Sequence, residues 1–344
     1  MNETETVRVG IIGAGGVVRG RHIPALQRIP GVEIPLIWSR TPEKAQAVAA
    51  EFGINATADH WQEVIESPEV DAVIIATPPV LHLPATLAAL SAGKHVLCQA
   101  RMARNLDEAR QMLSAARTSK LVTALYPARP GLKGDRVMRR LLHEEGFVGD
   151  IREVRVTGMH RPPTPQGYSW KQDPDVAGLN IMRLGMWVEV VNRWVGPAIR
   201  VMALGRTHGH QQRSEDGDMP DSLAVVAELE CGAVASYHLS DCVAAGPGHS
   251  VEIYGTRGAL VYQLLSDEIS GTPDGMTHLQ PIEIPVEEAR QQTTDADFIR
   301  AIRTGAPVIP DFDEGVRYMA FLTSVDLSLR TGMAIAVPPG DTSA

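Results

Sequence analysis

The feature that most narrows the folds open to this chain is a glycine-rich turn near its start, Val9-Gly10-Ile11-Ile12-Gly13-Ala14-Gly15-Gly16-Val17-Val18. An apolar run, Val7–Ile12, leads into it, and an amphipathic segment near Arg19–Arg28 with helical spacing follows. Strand, glycine turn and helix in that order form the context in which such a turn binds a dinucleotide. Gly13 permits the tight turn, and Gly15 lets backbone approach a pyrophosphate held at the helix N-terminus, where unpaired N–H groups and the helix dipole favour an anion. Gly16, Val17 and Val18 complete the expected cradle. Val18 stands where a third small residue is usual, so the fingerprint is incomplete; by itself the run also fits an ordinary strand-to-helix turn.

The rhythm established there continues. Further strands are expected near Glu33–Trp38, Ala72–Ala76, His95–Cys98 and Val122–Leu125, with helices near Pro42–Phe52, Leu81–Ala92 and Leu106–Ser119 between them. Thr41 before Pro42 reads as an N-cap with proline in the first helical position. Repeated strand–helix units favour a doubly wound parallel sheet covered on both faces, a Rossmann domain over residues 1–128. Near Ala128–Gly131 the pattern changes to period-two alternation, at Ile151–Thr157, Ser222–Leu229, Ala233–Ser240, Val251–Gly255 and Ala259–Leu264. Residues 129–344 are therefore expected to form an α+β domain with a large, mostly antiparallel sheet. Arg161–Pro174 and Gln211–Asp221 read as loops.

The second strand should report on the cofactor. An acidic residue at its end would accept from a ribose 2′-OH and repel a 2′-phosphate; here Ser39, Arg40 and Thr41 follow the strand. A guanidinium flanked by hydroxyls favours NADP(H), with NAD(H) as the alternative.

Composition excludes other classes. A formal net charge of −9 opposes polyanion binding, so nucleic acid is not an expected partner. Cys98, Cys231 and Cys242 are an odd number with no ligand-type spacing, which suggests neither a disulfide framework nor a metal site. The acidic N-terminus and the absence of a membrane-length apolar run lead to the expectation of a soluble cytoplasmic protein without a membrane partner.

Three further stretches, DAVIIATPPVLH from Asp71 to His82, AGKHVLC from Ala92 to Cys98, and DFIRAI from Asp297 to Ile302 followed by DEGVR from Asp313 to Arg317, carry a resemblance to the Gfo/Idh/MocA family that covers nearly the whole chain. This is the glucose-fructose oxidoreductase and inositol dehydrogenase group of sugar and polyol dehydrogenases. The resemblance implies nicotinamide-dependent hydride transfer on a small-molecule substrate and a homodimer or homotetramer. It places Thr77, Pro78, His82, Gln99 and Ala100 around the nicotinamide ribose. His82 would otherwise read as an ordinary core or surface histidine.

The reaction motifs depart from the family. Where members have Glu-Lys-Pro after the fourth main strand, this chain has Gln99, Ala100 and Arg101, so the lysine is absent. Where members have Asp-x-Gly-x-His, this chain has Arg183, Leu184, Gly185, Met186 and Trp187. Another residue must then handle the proton. Lys171 is the first choice, because a desolvated lysine can shuttle protons; Tyr168 and His160 are the other catalytic candidates. Arg101, Tyr126, Arg183 and Trp187 are the expected substrate contacts, the arginines gripping an anionic group and the tryptophan forming an apolar wall. The alternatives are that Lys171 is a solvated loop residue, that Arg183 pairs with Glu189 or another acid, and that Trp187 packs in the core. Three activities fit: an NADP(H)-dependent oxidoreductase acting on a hydroxyl or carbonyl of a cyclic or sugar-like anionic molecule; a lyase or hydrolase that retains its nicotinamide without net redox turnover; and a non-catalytic cofactor-binding sensor.

Overall fold

The computed structural model describes residues 5–127, 131–159, 170–208, 220–290 and 293–340. The first half builds a seven-stranded parallel sheet from β1 (Val7–Ile12), β2 (Val32–Glu33), β3 (Leu36–Trp38), β4 (Ala56–Thr57), β5 (Ala72–Ile75), β6 (His95–Gln99) and β7 (Thr123–Tyr126). Its order is β4-β3-β1-β5-β6-β7, with β2 also beside β1. A segment of π-type turn, Val18–His22, runs into α1 (Ile23–Leu26). It is followed along the chain by α2 (Pro42–Phe52), α3 (Trp61–Glu66), α4 (His82–Ser91) and α5 (Leu106–Ser119). The expected second strand is divided into β2 and β3, with Pro35, which has no N–H for a ladder, in the gap. Helix ends follow local chemistry. Pro42 opens α2 and the left-handed Gly53 closes it, while the Asn105 side chain accepts from the Glu108 N–H at the start of α5.

The second half supplies α6 (Asp135–Arg139), α7 (Pro174–Ala177), α8 (Leu184–Trp194), α9 (Thr294–Thr304) and α10 (Phe312–Thr331). Its strands are β8 (Ile151–Met159), β9 (Ala198–Arg206), β10 (Ser222–Leu229), β11 (Val234–Ser240), β12 (Gly248–Gly255), β13 (Ala259–Gln263), β14 (Glu268–Thr272), β15 (Gln280–Ile282) and β16 (Ile335–Ala336). They form one nine-stranded sheet of order β15-β14-β13-β12-β8-β11-β10-β9-β16. Only the β11–β8 pair in it is parallel. Strand β9 escapes the alternation read from sequence because both of its faces are apolar: Val201 and Ala203 are buried, whereas Met202 and Leu204 are 54% and 65% exposed. The last helices return to the first half. Phe298, Ile299 and Ile302 of α9 share a buried core with Val7, Val9 and Ile11, α9 lies against α1 and β7, and α10 lies against α5 and β9. No helix among the described residues is long and apolar enough to cross a membrane.

Candidate active site

The expected cofactor residues stand at or just beyond the carboxyl ends of β1, β3, β5 and β6. Gly13 follows β1 with φ of 123°, donates its N–H to the Trp38 carbonyl (2.7 Å), and would place a Cβ 2.3 Å from the Ala76 carbonyl oxygen. No residue but glycine satisfies both demands. Gly15 and Gly16 differ: an added Cβ would meet nothing within 4 Å. Their backbone is exposed to open space at the start of a helix whose first N–H groups lack intrahelical partners, which fits a dinucleotide pyrophosphate. Val18 is fully buried, so the position of the missing third glycine is taken by a packing residue. Arg40 is exposed just beyond β3, and the Ser39 hydroxyl accepts from the Thr41 N–H (3.3 Å).

His82 has a different place from the ribose neighbour that was expected. It is fully buried, with Nε2 2.8 Å from the Thr77 carbonyl and Nδ1 2.9 and 3.1 Å from the carbonyls of Arg101 and Met102. The imidazole thus ties the loop after β5 to the loop after β6. Burial is the dominant influence and lowers its pKa, against the three carbonyls, which favour the protonated ring. A folded-state pKa below the unfolded value of about 6.5 contributes stability that is present above that pH and lost as pH falls through the lower folded pKa. His82→Gln is expected to remove this component, up to ~1.4 kcal/mol per pH unit below 6.5. Urea unfolding of parent and variant at pH 7.5 and 5.5 checks it; identical acid slopes would discard the assignment.

Beneath the glycine turn lies a polar network that sequence reading missed. His22 Nδ1 is 2.6 Å from Asp295 Oδ1, both side chains being buried, and His22 Nε2 is 3.3 Å from the Gln99 amide. Tyr126, expected at the substrate, is instead 4% exposed, with its ring centroid 4.2 Å from that of His22. Its carbonyl accepts from the Ala100 N–H (2.9 Å). The partners His22 and Asp295 are 273 residues apart, and no local pattern joins them.

The loop after β6 reaches the second half through Arg101. Its guanidinium donates to Asn180 Oδ1 (2.5 Å) and the Ala177 carbonyl (3.0 Å), while the buried Nε has no acceptor. Burial lowers the pKa of this arginine, and no carboxylate among the described residues forms a salt bridge with it. Asn180 in turn donates to the Lys171 carbonyl (2.9 Å), so Arg101, Asn180 and the turn Trp170–Gln172 form one connected unit. Asn180 had not been singled out. Lys171 is exposed, its ammonium 5.9 Å from the Trp170 ring centroid, so the desolvation expected for it is absent. Arg183 caps α8 in a left-handed conformation and pairs with Asp241 (2.6 Å), at 52% side-chain exposure; Glu189 pairs with Arg193 instead. Trp187 is 2% exposed, close against Gly158 and 5.6 Å from the His249 ring, and packs in the core rather than forming a pocket wall. His160 and Tyr168 lie outside the described residues.

Known proteins share the two-part fold. Residues 7–126 match the model of the GFO_IDH_MocA oxidoreductase family with an NAD-binding Rossmann fold, and residues 136–261 match the GFO/IDH/MocA C-terminal domain. The chain is 29% identical over 340 residues to a 1,5-anhydro-D-fructose reductase of Ensifer adhaerens, covering 97% of this chain and 99% of that protein. It is 34% identical over 261 residues to glucose-fructose oxidoreductase domain-containing protein 2 of Xenopus laevis, covering 74% and 67% respectively. A solved levoglucosan dehydrogenase, in complex with NADH and levoglucosan, superposes with a TM-score of 0.85 at 22% identity, over 97% of this chain and all of the other. The glycine cradle, the two sheets and these matches establish that the chain belongs to the Gfo/Idh/MocA family of oxidoreductases, nicotinamide-binding enzymes with a Rossmann fold.

Proposed function

We propose that this enzyme transfers hydride between NADP(H) and a hydroxyl or carbonyl carbon of a cyclic or sugar-like small molecule that carries an acidic group. The observation that carries the reading is the open glycine cradle together with Arg101, a half-buried arginine in the loop after β6 without a carboxylate partner in an ion pair among the described residues. The relatives named for anhydrofructose and levoglucosan support a sugar-like substrate. When bound, the nicotinamide supplies the hydride chemistry. The chain's own contribution is to hold the pyrophosphate at Gly13–Val18, to flank the nicotinamide with Thr77, Pro78, Gln99 and Ala100, and to move one proton at the reacting oxygen. Lys171 is assigned that proton.

The NADP(H) preference rests on Arg40, which is exposed beyond β3 in a stretch, Ser39 to Pro42, that contains no acidic side chain. NADPH is expected to bind more tightly than NADH, and Arg40→Ala to weaken NADPH roughly 10-fold while sparing NADH, as loss of a charge-assisted phosphate contact would. Fluorescence titration of both nucleotides checks this. Absorbance at the reduced-nicotinamide band, with sugar acids, neutral sugars and cyclic diols as substrates, then tests the activity. Substrate consumption with no change in that band would replace hydride turnover by the lyase or hydrolase reading.

The acidic group rests on Arg101 rather than Arg183, whose charge is already matched by Asp241. Partial burial desolvates the Arg101 guanidinium, and a substrate carboxylate would offset that cost. Arg101→Met is expected to raise KM for an acidic substrate about 10–100-fold, with a smaller effect on a neutral analogue. Equal effects on both would make Arg101 only a tie between loops. The outer face of β9 and β10, where Met202 and Val226 are exposed and in register, supports association as a homodimer or homotetramer.

A further inference from the structure

Cysteine spacing shows no sign of a metal site, but the ends of β9, β10 and β11 bring three donor side chains together. The ladder register pairs Ser222 with both Arg206 and Ser240. It continues one residue further, since Asp221 donates to the Arg206 carbonyl (3.0 Å) and Asp241 to the Asp221 carbonyl (2.8 Å). Asp221 is thereby set between the segments carrying His208 and Cys242. An imidazole nitrogen of His208, a carboxylate oxygen of Asp221 and Sγ of Cys242 all lie within 4.8 Å of one another.

We propose that His208, Asp221 and Cys242 bind a single Zn²⁺ ion. The donor set is chemically apt: imidazole, carboxylate and thiolate are all ordinary zinc ligands, and one carboxylate with one thiolate neutralises a divalent charge. Asp241, next in the chain to Cys242, is already paired with Arg183 and is not needed. The surroundings orient the ligands. Both carboxylate oxygens of the fully buried Asp221 accept from the His208 backbone N–H (2.9 and 3.0 Å), and the Ser240 hydroxyl lies 3.3 Å from Cys242 Sγ. Tetrahedral zinc with bonds of ~2.0–2.3 Å needs ligand atoms roughly 3.3–3.8 Å apart. The exposed His208 ring and the half-buried Cys242 can close the remaining distance of about 1 Å by side-chain rotation. The fourth position is left to water. Binding would release the Cys242 thiol proton to solvent and pin His208 and Asp221 to the end of β11.

The test is titration of the chelator-treated, tag-free full chain with Co²⁺, followed by displacement with Zn²⁺. One Co²⁺ per chain is expected, with a thiolate-to-metal absorption band in the near ultraviolet that Zn²⁺ abolishes. Cys242→Ser should eliminate the band, His208→Ala at an exposed position should weaken binding roughly 10–100-fold, and Cys231→Ser should change nothing. Circular dichroism of each variant confirms folding. Absence of a saturable band, its survival in Cys242→Ser, or an unchanged midpoint in His208→Ala would overturn the site.

Discussion

Gly15→Val is expected to leave the fold and its thermal midpoint essentially unchanged while reducing NADPH affinity at least ~100-fold, a loss of about 2.7 kcal/mol. The argument is geometric. A Cβ at Gly15 meets no protein atom within 4 Å, so the apo chain has no reason to resist the substitution. The new side chain then occupies the crevice into which the pyrophosphate must descend to reach the helix N-terminus. The neighbouring substitution Gly13→Ala should behave in the opposite way. There the Cβ would lie 2.3 Å from the Ala76 carbonyl oxygen at a φ of 123°, so the cost falls on folding, about 2–5 kcal/mol from strain and overpacking together. Calorimetric binding and thermal unfolding of the two variants separate a ligand-facing glycine from a fold-enforcing one. Undiminished NADPH binding by Gly15→Val would remove the pyrophosphate from this crevice.

The parallel sheet was legible because its strands are short apolar runs punctuated by helix caps; Val7–Ile12, Pro42–Phe52 and Leu106–Ser119 match the expected bounds. Small elements such as β4, with two residues, and α3, with six, were not, since neither is long enough to show a period. The limits at the site have a different cause. Trp187 and Tyr126 stand at positions that the family motif or a strand end would turn toward the substrate, yet their rings carry large apolar surfaces that the structure buries against Gly158 and His22. The His22–Asp295 pair and the His208, Asp221 and Cys242 group depend on tertiary juxtaposition, which periodicity does not encode. Family resemblance could name the positions lining the cofactor. It could not tell which of two arginines already had a partner: Arg183 is matched by Asp241 in the fold, whereas Arg101 is held by neutral oxygens.

That distinction bears on where the proton goes. The family's lysine position is Ala100 and its histidine position is the buried Trp187, so neither can exchange a proton with a substrate. Lys171 carries a titratable ammonium on the turn Trp170–Gln172, and the link from its carbonyl through Asn180 to Arg101 fixes that turn relative to the loop after β6. On the proposed assignment, the exposed Lys171 ammonium donates to the oxygen that gains charge as hydride arrives, and solvent reprotonates the amine. Lys171→Met is therefore expected to lower kcat about 10²–10⁴-fold with NADPH affinity unchanged. Lys171→Arg keeps the charge but holds its proton too tightly to deliver it, so it should be nearly as slow as Lys171→Met. Steady-state rates of the parent and both variants decide the matter. Recovery of kcat in Lys171→Arg would make Lys171 an electrostatic contact, and parental kcat in Lys171→Met would transfer the proton to His160 or Tyr168, where His160→Gln and Tyr168→Phe would then show the loss.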